Sequence, residues 1–320
     1  MVINFSKKEG LVDVPNERKI HTKPISRIGG VAIWISTMLT FLCLVLLSYY
    51  PYGKLMSGIL LGGSLMFLLG LVDDVYGLGA KFKLVMQIAI ATVAYLLGVQ
   101  INSVPFFGGM DLGLLSYPIT LLWIVGISNA VNFIDGVDGL AGSVITVNAV
   151  TLAILAITLN PPNPISALIG FILAGAMLAF LTFNFNPAKI FMGDSGALFS
   201  GFLLAAISIT GVMKVATVAI LLPFVVLAVP IIDITYSSLR RICKGTSPFV
   251  ADAEHIHHKL LHAGFSQKKT VMIMTSVAIL SGALACLFAK HNAIKYDLFL
   301  TLAIVGVMFL LNLFRVLTKK

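Results

Sequence analysis

A chain of 320 residues that is 58% hydrophobic and only 11% charged, with a mean hydropathy of +1.01, is too apolar for a soluble domain. The formal net charge of +9 needs no nucleic-acid partner once the basic residues are placed by membrane topology. The three cysteines, Cys43, Cys243 and Cys286, are widely separated, form no CxxC pair and give no sign of a disulfide framework or zinc knuckle.

Ten apolar runs approach bilayer-spanning length: 28–50, 55–72, 84–100, 117–131, 139–159, 164–183, 196–211, 215–238, 270–289 and 296–314. All are predicted to be helices. The bilayer core has no water to satisfy backbone groups, and a closed barrel would need short alternating segments. The predicted fold class is all-α, a polytopic membrane helix bundle of about ten transmembrane helices, as a single integral-membrane domain over residues 1–320. The first run is too long for a signal-peptide core and lacks an obvious small-residue cleavage site, so it reads as a retained span. With the N-terminus inside, only Lys54, Lys214, Lys290 and Lys295 fall outside, and the other 18 of the 22 Lys and Arg fall on the cytoplasmic side. The positive balance then reads as topology, plus whatever anionic head group or diphosphate the inner face handles.

Residues 10–30, GLVDVPNERKIHTKPISRIGG, are polar, basic and punctuated by Pro15, Pro24 and the Gly29–Gly30 pair. They anchor the first span, or they form a lid whose Lys19, Lys23 and Arg27 carry cations to an anionic substrate. In the second inside segment, LVDDVYGLGAKFK at 71–83, Asp73 and Asp74 end an apolar run. Adjacent carboxylates repel unless a cation or a shared proton lies beside them, which favours a metal- or phosphate-handling role. Lys81 and Lys83 follow, and a lysine can hold phosphate as a point charge. Snorkelling at a helix end explains the lysines easily but the aspartate pair poorly.

The stretch 129–142, NAVNFIDGVDGLAG, is the one around which the chain is organised. Asn129 and Asn132 lie three apart on one side of a helix end, and Asp135 and Asp138 repeat the interval beyond it. Amide and carboxylate oxygens suit a hard cation such as magnesium, and the same groups hydrogen-bond a nucleobase or sugar. Gly136, Gly139 and Gly142 let backbone or ligand approach closely. Ionisable groups cost about 2.5–3.5 kcal/mol each near the centre of a spanning helix, so these carboxylates belong at the water face or in a polar cavity.

In FNFNPAKIFMGDSGALFSG, residues 183–201, Asp194 sits just before a new span between Gly193 and Gly196. It reads as a helix N-cap, or as part of an anion site where a magnesium-bound diphosphate uses both the carboxylate and the amides. Phe183, Phe185 and Phe191 could stack a base or simply pack. The last large inside segment carries Arg240, Arg241 and then DAEHIHHKLLHAG, 252–264. No HExxH occurs, and His255, His257 and His258 read as hydrogen-bond donors to phosphate or sugar ahead of zinc ligands. Asp233 reads as a structural partner of Arg240 or Arg241. Asp111 and Asp297 are the only acids placed outside. A transporter or channel, the rival class, should carry ionisable groups toward the membrane middle or on both faces.

The order GLVDVPNERKIHTKPISRIGG, GLVDDVYGLGAKFK, NAVNFIDGVDGLAG, FNFNPAKIFMGDSGALFSG and HIHHKLL resembles the polyprenyl-phosphate N-acetylhexosamine-1-phosphate transferases over nearly the whole chain. That family includes the enzymes that start teichoic-acid linkage units and enterobacterial common antigen, the translocase of peptidoglycan synthesis and the eukaryotic dolichol enzyme. The resemblance implies transfer of a sugar 1-phosphate from a UDP-activated N-acetylhexosamine to undecaprenyl phosphate, giving a lipid diphosphate sugar and UMP. It also implies a bacterial cytoplasmic membrane, an active site facing the cytoplasm and a magnesium requirement, with manganese as a substitute.

On the same resemblance, Asp194 is the principal metal ligand and Asn132 the second, and Lys83 grips the diphosphate. Asp73 and Asp74 match the catalytic aspartate pair. An electrostatic and positioning role suits them, because a phosphate with a second pKa of about 6 needs little deprotonation. Asp138 and Phe191 match positions that hold uracil, and His255, His257 and His258 match the histidine motif near the diphosphate and sugar. Asn129, Asp135 and Arg241 complete the candidate substrate-binding set. HIHHKLL and the Pro-Asn-Glu-Arg-Lys lead resemble the GlcNAc-1-phosphate branch more than the MurNAc-pentapeptide branch, so UDP-GlcNAc is the expected donor. The expected partners are the UDP-sugar, undecaprenyl phosphate and membrane lipid, and a homodimer is compatible with the pattern. Members of this branch usually carry a further span before the Pro-Asn-Glu-Arg-Lys segment, and that first span is expected to be missing here.

Overall fold

The computed structural model describes residues 2–8, 12–13, 24–47, 53–104, 110–213, 227–232 and 256–290. Its named helices are α1 (Val2–Lys8), α2 (Gly29–Leu46), α3 (Lys54–Tyr76), α4 (Ala80–Leu96), α5 (Ser116–Ile134), α6 (Leu140–Thr158), α7 (Pro164–Asn184), α8 (Gly193–Ile207), α9 (Ile256–His262) and α10 (Gln267–Lys290). A π-helical segment, Ser208–Met213, prolongs α8. Two antiparallel pairs of two-residue strands, Val12–Asp13 with Ile25–Ser26 and Ser103–Val104 with Met110–Asp111, lie between helices.

Among the described residues, seven helical stretches are long and apolar enough to cross a membrane, and the chain is a multi-pass helical membrane protein. Among the described residues, eight of the ten apolar runs coincide with one of these helices. The eighth of these is α4, which at 17 residues is shorter than the seven stretches, α8 being taken there with its π segment. The run 215–238 is described only over 227–232, and 296–314 lies outside the described residues. Several predicted edges need correction: α3 continues past residue 72 and carries Asp73 and Asp74 in its last turns, α4 lies four residues earlier than the run 84–100, and α8 starts at Gly193, so Asp194 sits in its first turn rather than at its N-cap. Helix α3 stops at Gly77, whose φ of +67° needs no Cβ and lets its N–H reach the Asp73 carbonyl at 2.8 Å.

Helix α8 forms the centre of the bundle. Every residue from Ser195 to Ile207 is buried, as expected of a helix that is apolar on all sides. Helices α2, α3, α5, α6 and α7 pack around it. Association between spanning helices depends on close packing, and small residues permit it. Gly62 of α3 lies against the Phe202 ring, and Gly70 lies against the Asp194 backbone. At the far end of α8 the buried polar groups of the π segment are satisfied by its neighbours. The Trp123 Nε1–H donates to Ser208 Oγ at 2.9 Å, Ser166 and Thr210 hydroxyls meet at 2.7 Å, and Asn163 Nδ2 donates to the Thr210 carbonyl at 2.9 Å.

The opposite end gathers the polar groups. The last turns of α3, α5 and α7 meet the first turns of α2, α4, α6, α8 and α10 there, joined by the hydrogen bonds described next.

Candidate active site

Lys83 is the hub of the polar end. Its Nζ donates to Asp73 Oδ2 at 2.7 Å and to Asp194 Oδ2 at 2.5 Å, bridging α3 and α8 from α4. Side-chain exposures of 19% for Lys83, 11% for Asp73 and 23% for Asp194 leave this bridge less screened than a surface pair. Asn132, from the last turn of α5, lies beside the Asp194 carboxyl. Four helices thus converge on one carboxylate.

Asp74 faces a different way from its neighbour. Its Oδ1 accepts the Asp194 N–H at 2.8 Å, and its Oδ2 accepts the Ser195 N–H at 3.0 Å and the Ser195 hydroxyl at 2.7 Å. A helix start leaves its first N–H groups without intrahelical partners, and an anion there is favoured by the helix dipole. Asp74 is therefore a cap supplied from α3. Gly193, at φ +70°, makes the turn that brings these groups to Asp74. A strap over residues 25–30 closes the other side: Phe191 N–H donates to the Ser26 carbonyl at 2.7 Å, and Gly29 and Gly30 N–H groups donate to the Phe191 and Met192 carbonyls, each at 2.9 Å. Arg27 lies on this strap and is exposed, the position a lid cation would need.

The turn over residues 135–139 completes the cluster. Asp135 is half-buried at its surface yet ringed by protein. This loss of hydration, ahead of repulsion from Asp194, Asp74 and Asp138, pushes its carboxyl up to about 7. Asp138 Oδ2 accepts from Asn186 Nδ2 at 3.2 Å and from the Ala188 N–H at 3.0 Å, which fixes the loop leading to Phe191. The Gly139 N–H donates to Asn184 Oδ1 at 3.0 Å, and Asn184 Nδ2 donates to the Ile190 carbonyl at 2.8 Å. His257 is buried with its ring against Gly136, where a Cβ would collide with it, and the His258 ring lies 4.4 Å from it between centroids. The histidine helix α9 thus docks on the acidic turn.

Asp73, Asp74, Lys83, Asn132, Asp135, Asp138, Phe191, Asp194 and His257 are therefore brought to one end of the bundle. Asn129 lies one turn deeper, paired with the amide of Gln87. Lys19, Lys23, Asp233, Arg240, Arg241 and His255 lie outside the described residues. Sequence reasoning missed Gln87, Ser195, Asn184 and Asn186. Gln87 had one signal, its i+4 spacing from Lys83, which places both on one face of α4.

Among the described residues no three Asp, Glu, His or Cys side chains converge to hold a metal by themselves. Magnesium does not require such a cage, because it keeps waters and takes one or two carboxylates plus substrate phosphates. Asp194 and Asn132 offer oxygen donors beside the point where Lys83 already places a positive charge. That set fits a hard cation.

The architecture is that of a multi-pass helical membrane protein whose helix ends assemble a carboxylate and lysine site suited to phosphate chemistry. The sequence model described as glycosyl transferase family 4 matches residues 56–212, which include the site from Asp73 to Asp194. The probable undecaprenyl-phosphate N-acetylglucosaminyl 1-phosphate transferase of Bacillus subtilis is 35% identical over 297 residues, 92% of this chain and 81% of the relative. The decaprenyl-phosphate N-acetylglucosaminephosphotransferase of Mycolicibacterium smegmatis is 33% identical over 93% of this chain and 79% of the relative. The undecaprenyl-phosphate alpha-N-acetylglucosaminyl 1-phosphate transferase of Escherichia coli is 30% identical over 97% of this chain and 83% of the relative. The chain belongs to this family of polyprenyl-phosphate N-acetylhexosamine-1-phosphate transferases.

Proposed function

We propose that this protein transfers GlcNAc-1-phosphate from UDP-GlcNAc to undecaprenyl phosphate at the cytoplasmic face of the membrane, with magnesium as cofactor. A phosphate oxygen of the lipid attacks the phosphorus that carries the sugar. The bond from that phosphorus to the bridging oxygen breaks, and UMP leaves with the bridging oxygen. The observation that carries the reading is the bridge of Lys83 between Asp73 and Asp194, with Asn132 on the same carboxylate. The relatives' names supply the polyprenyl-phosphate acceptor and the N-acetylglucosamine.

The chain's own groups divide the work of phosphoryl transfer, which is mostly positioning and charge stabilisation. Asp194 and Asn132 would hold the magnesium, which when bound supplies positive charge against the diphosphate. Lys83, freed from a carboxylate, moves its ammonium onto a phosphate oxygen as a point charge. Asp73 keeps that lysine aimed at the site, and Asp74 fixes the start of α8 and so the place of Asp194. Neither aspartate is needed as a base, because the lipid phosphate is already largely ionised near neutral pH.

The test is UMP release by purified protein in detergent with undecaprenyl phosphate and UDP-GlcNAc, UDP-GalNAc or UDP-MurNAc-pentapeptide, each with magnesium and with EDTA. Magnesium-dependent release from UDP-GlcNAc alone is the expected result. Release from another donor corrects the sugar, and silence with all three overturns the reading.

A further inference from the structure

Gln87 is fully buried on a helix whose other buried residues are Ile90, Ala91 and Ala94. A buried amide left without partners is destabilising, so a glutamine on that face needs a reason. It pairs reciprocally with Asn129 of α5. Gln87 Nε2 donates to Asn129 Oδ1 at 3.2 Å, and Asn129 Nδ2 donates back to Gln87 Oε1 at 2.8 Å and to the Val125 carbonyl at 2.8 Å.

The place of this pair is informative. Lys83 stands one turn before Gln87 on α4, and Asn132 stands about one turn after Asn129 on α5. The amide pair therefore lies one turn deeper than the contacts of Lys83 and Asn132 with Asp194, and it joins the two helices that carry them. An apolar contact between α4 and α5 would tolerate sliding. Two directional hydrogen bonds, whose alternative is a set of unsatisfied buried amides, select one register.

We propose that Gln87 is a positioning residue for the transfer reaction: its amide pair with Asn129 sets the separation of Lys83 from Asn132 and hence the seat of the diphosphate. This rests on the transferase reading above.

The experiment is steady-state UMP release against magnesium and UDP-GlcNAc for the parent, Gln87→Leu, Asn129→Leu and the double variant, each monodisperse in detergent with its Tm recorded. Gln87→Leu is expected to lower kcat on the order of ten- to a hundredfold. It is also expected to raise the magnesium needed for half-maximal rate, with Tm lowered by a few degrees because the Asn129 amide loses its partner. The double variant should lose no more than the worse single, because both changes break one coupling. Should Gln87→Leu aggregate, Gln87→Met, closer in shape, is scored in the same way. A lowered Tm with unchanged kcat and magnesium dependence, or losses that multiply in the double variant, would overturn the proposal while leaving an active parent as a transferase. No release from the parent would remove the transferase reading and this proposal together.

Discussion

The carboxylate of Asp74 takes both the backbone N–H and the hydroxyl of Ser195, at 3.0 and 2.7 Å, and so caps the buried helix that carries Asp194. Its neighbour Asp73 instead meets Lys83. Two adjacent acids therefore act at different links of the chain from packing to chemistry. Asp74→Asn replaces an acceptor that serves three donors by an amide that can serve them only in part. A lost cap costs about 0.5–2 kcal/mol, so a Tm fall with reduced turnover is expected. Asp73→Asn should reduce turnover with a smaller Tm change. Thermal melts beside UMP release check the pair, and equal Tm losses in both variants would remove the distinction.

Much of the site was legible because charge in an apolar chain is an exception that needs a cause. Asp73, Asp74, Asp135, Asp138 and Asp194 stood out at the ends of apolar runs. The division between Asp73 and Asp74 was not legible, since it depends on a partner 121 residues away at Ser195. Gln87 was overlooked because its only mark in the sequence is the i+4 spacing from Lys83, and its partner lies on another helix. The end of α3 was set too early, because a hydropathy run stops at the first charge whereas a helix continues until its backbone is capped, here at Gly77.

Asp194 is where α8, Lys83 and Asn132 meet. Asp194→Asn keeps its size and its backbone bond to Asp74 but removes the charge. Turnover is expected to fall at least about a hundredfold, the scale for losing a preorganised electrostatic group, with Tm within a few degrees. Near-parental turnover of this variant at limiting magnesium would show that Asp194 is not the metal ligand.

Asp135 supplies the pH signature. Its carboxyl titrates at about 7 in the folded protein and at the ordinary value near 3.8 when unfolded. Between those values the folded state holds a proton that the unfolded state has released, so this group's contribution to stability falls as pH rises through the window. Asp135→Asn removes that slope. Its Tm relative to the parent should be higher at pH 8 than at pH 5, measured in EDTA. A difference independent of pH would mean that Asp135 is ionised throughout. Magnesium should reduce the effect by stabilising the ionised form, and proton release on adding the metal near pH 6.5 is the companion measurement.

Gly70 shows how finely the site depends on helix approach. A Cβ there would run into the Asp194 carbonyl carbon and oxygen, which are backbone atoms and cannot rotate away. Gly70→Ala must therefore push the start of α8 away from α3 and stretch the Asp74 cap. Overpacking costs about 1–3 kcal/mol, and displacement of a reacting group by about 1 Å can cost a hundredfold in rate. Both losses are expected together. Gly175 of α7, which has open space beside it, is the matched control: Gly175→Ala should leave turnover unchanged and stabilise the helix by about 0.5–1 kcal/mol. If Gly70→Ala instead behaves like Gly175→Ala, the contact between α3 and the Asp194 backbone does not govern the site.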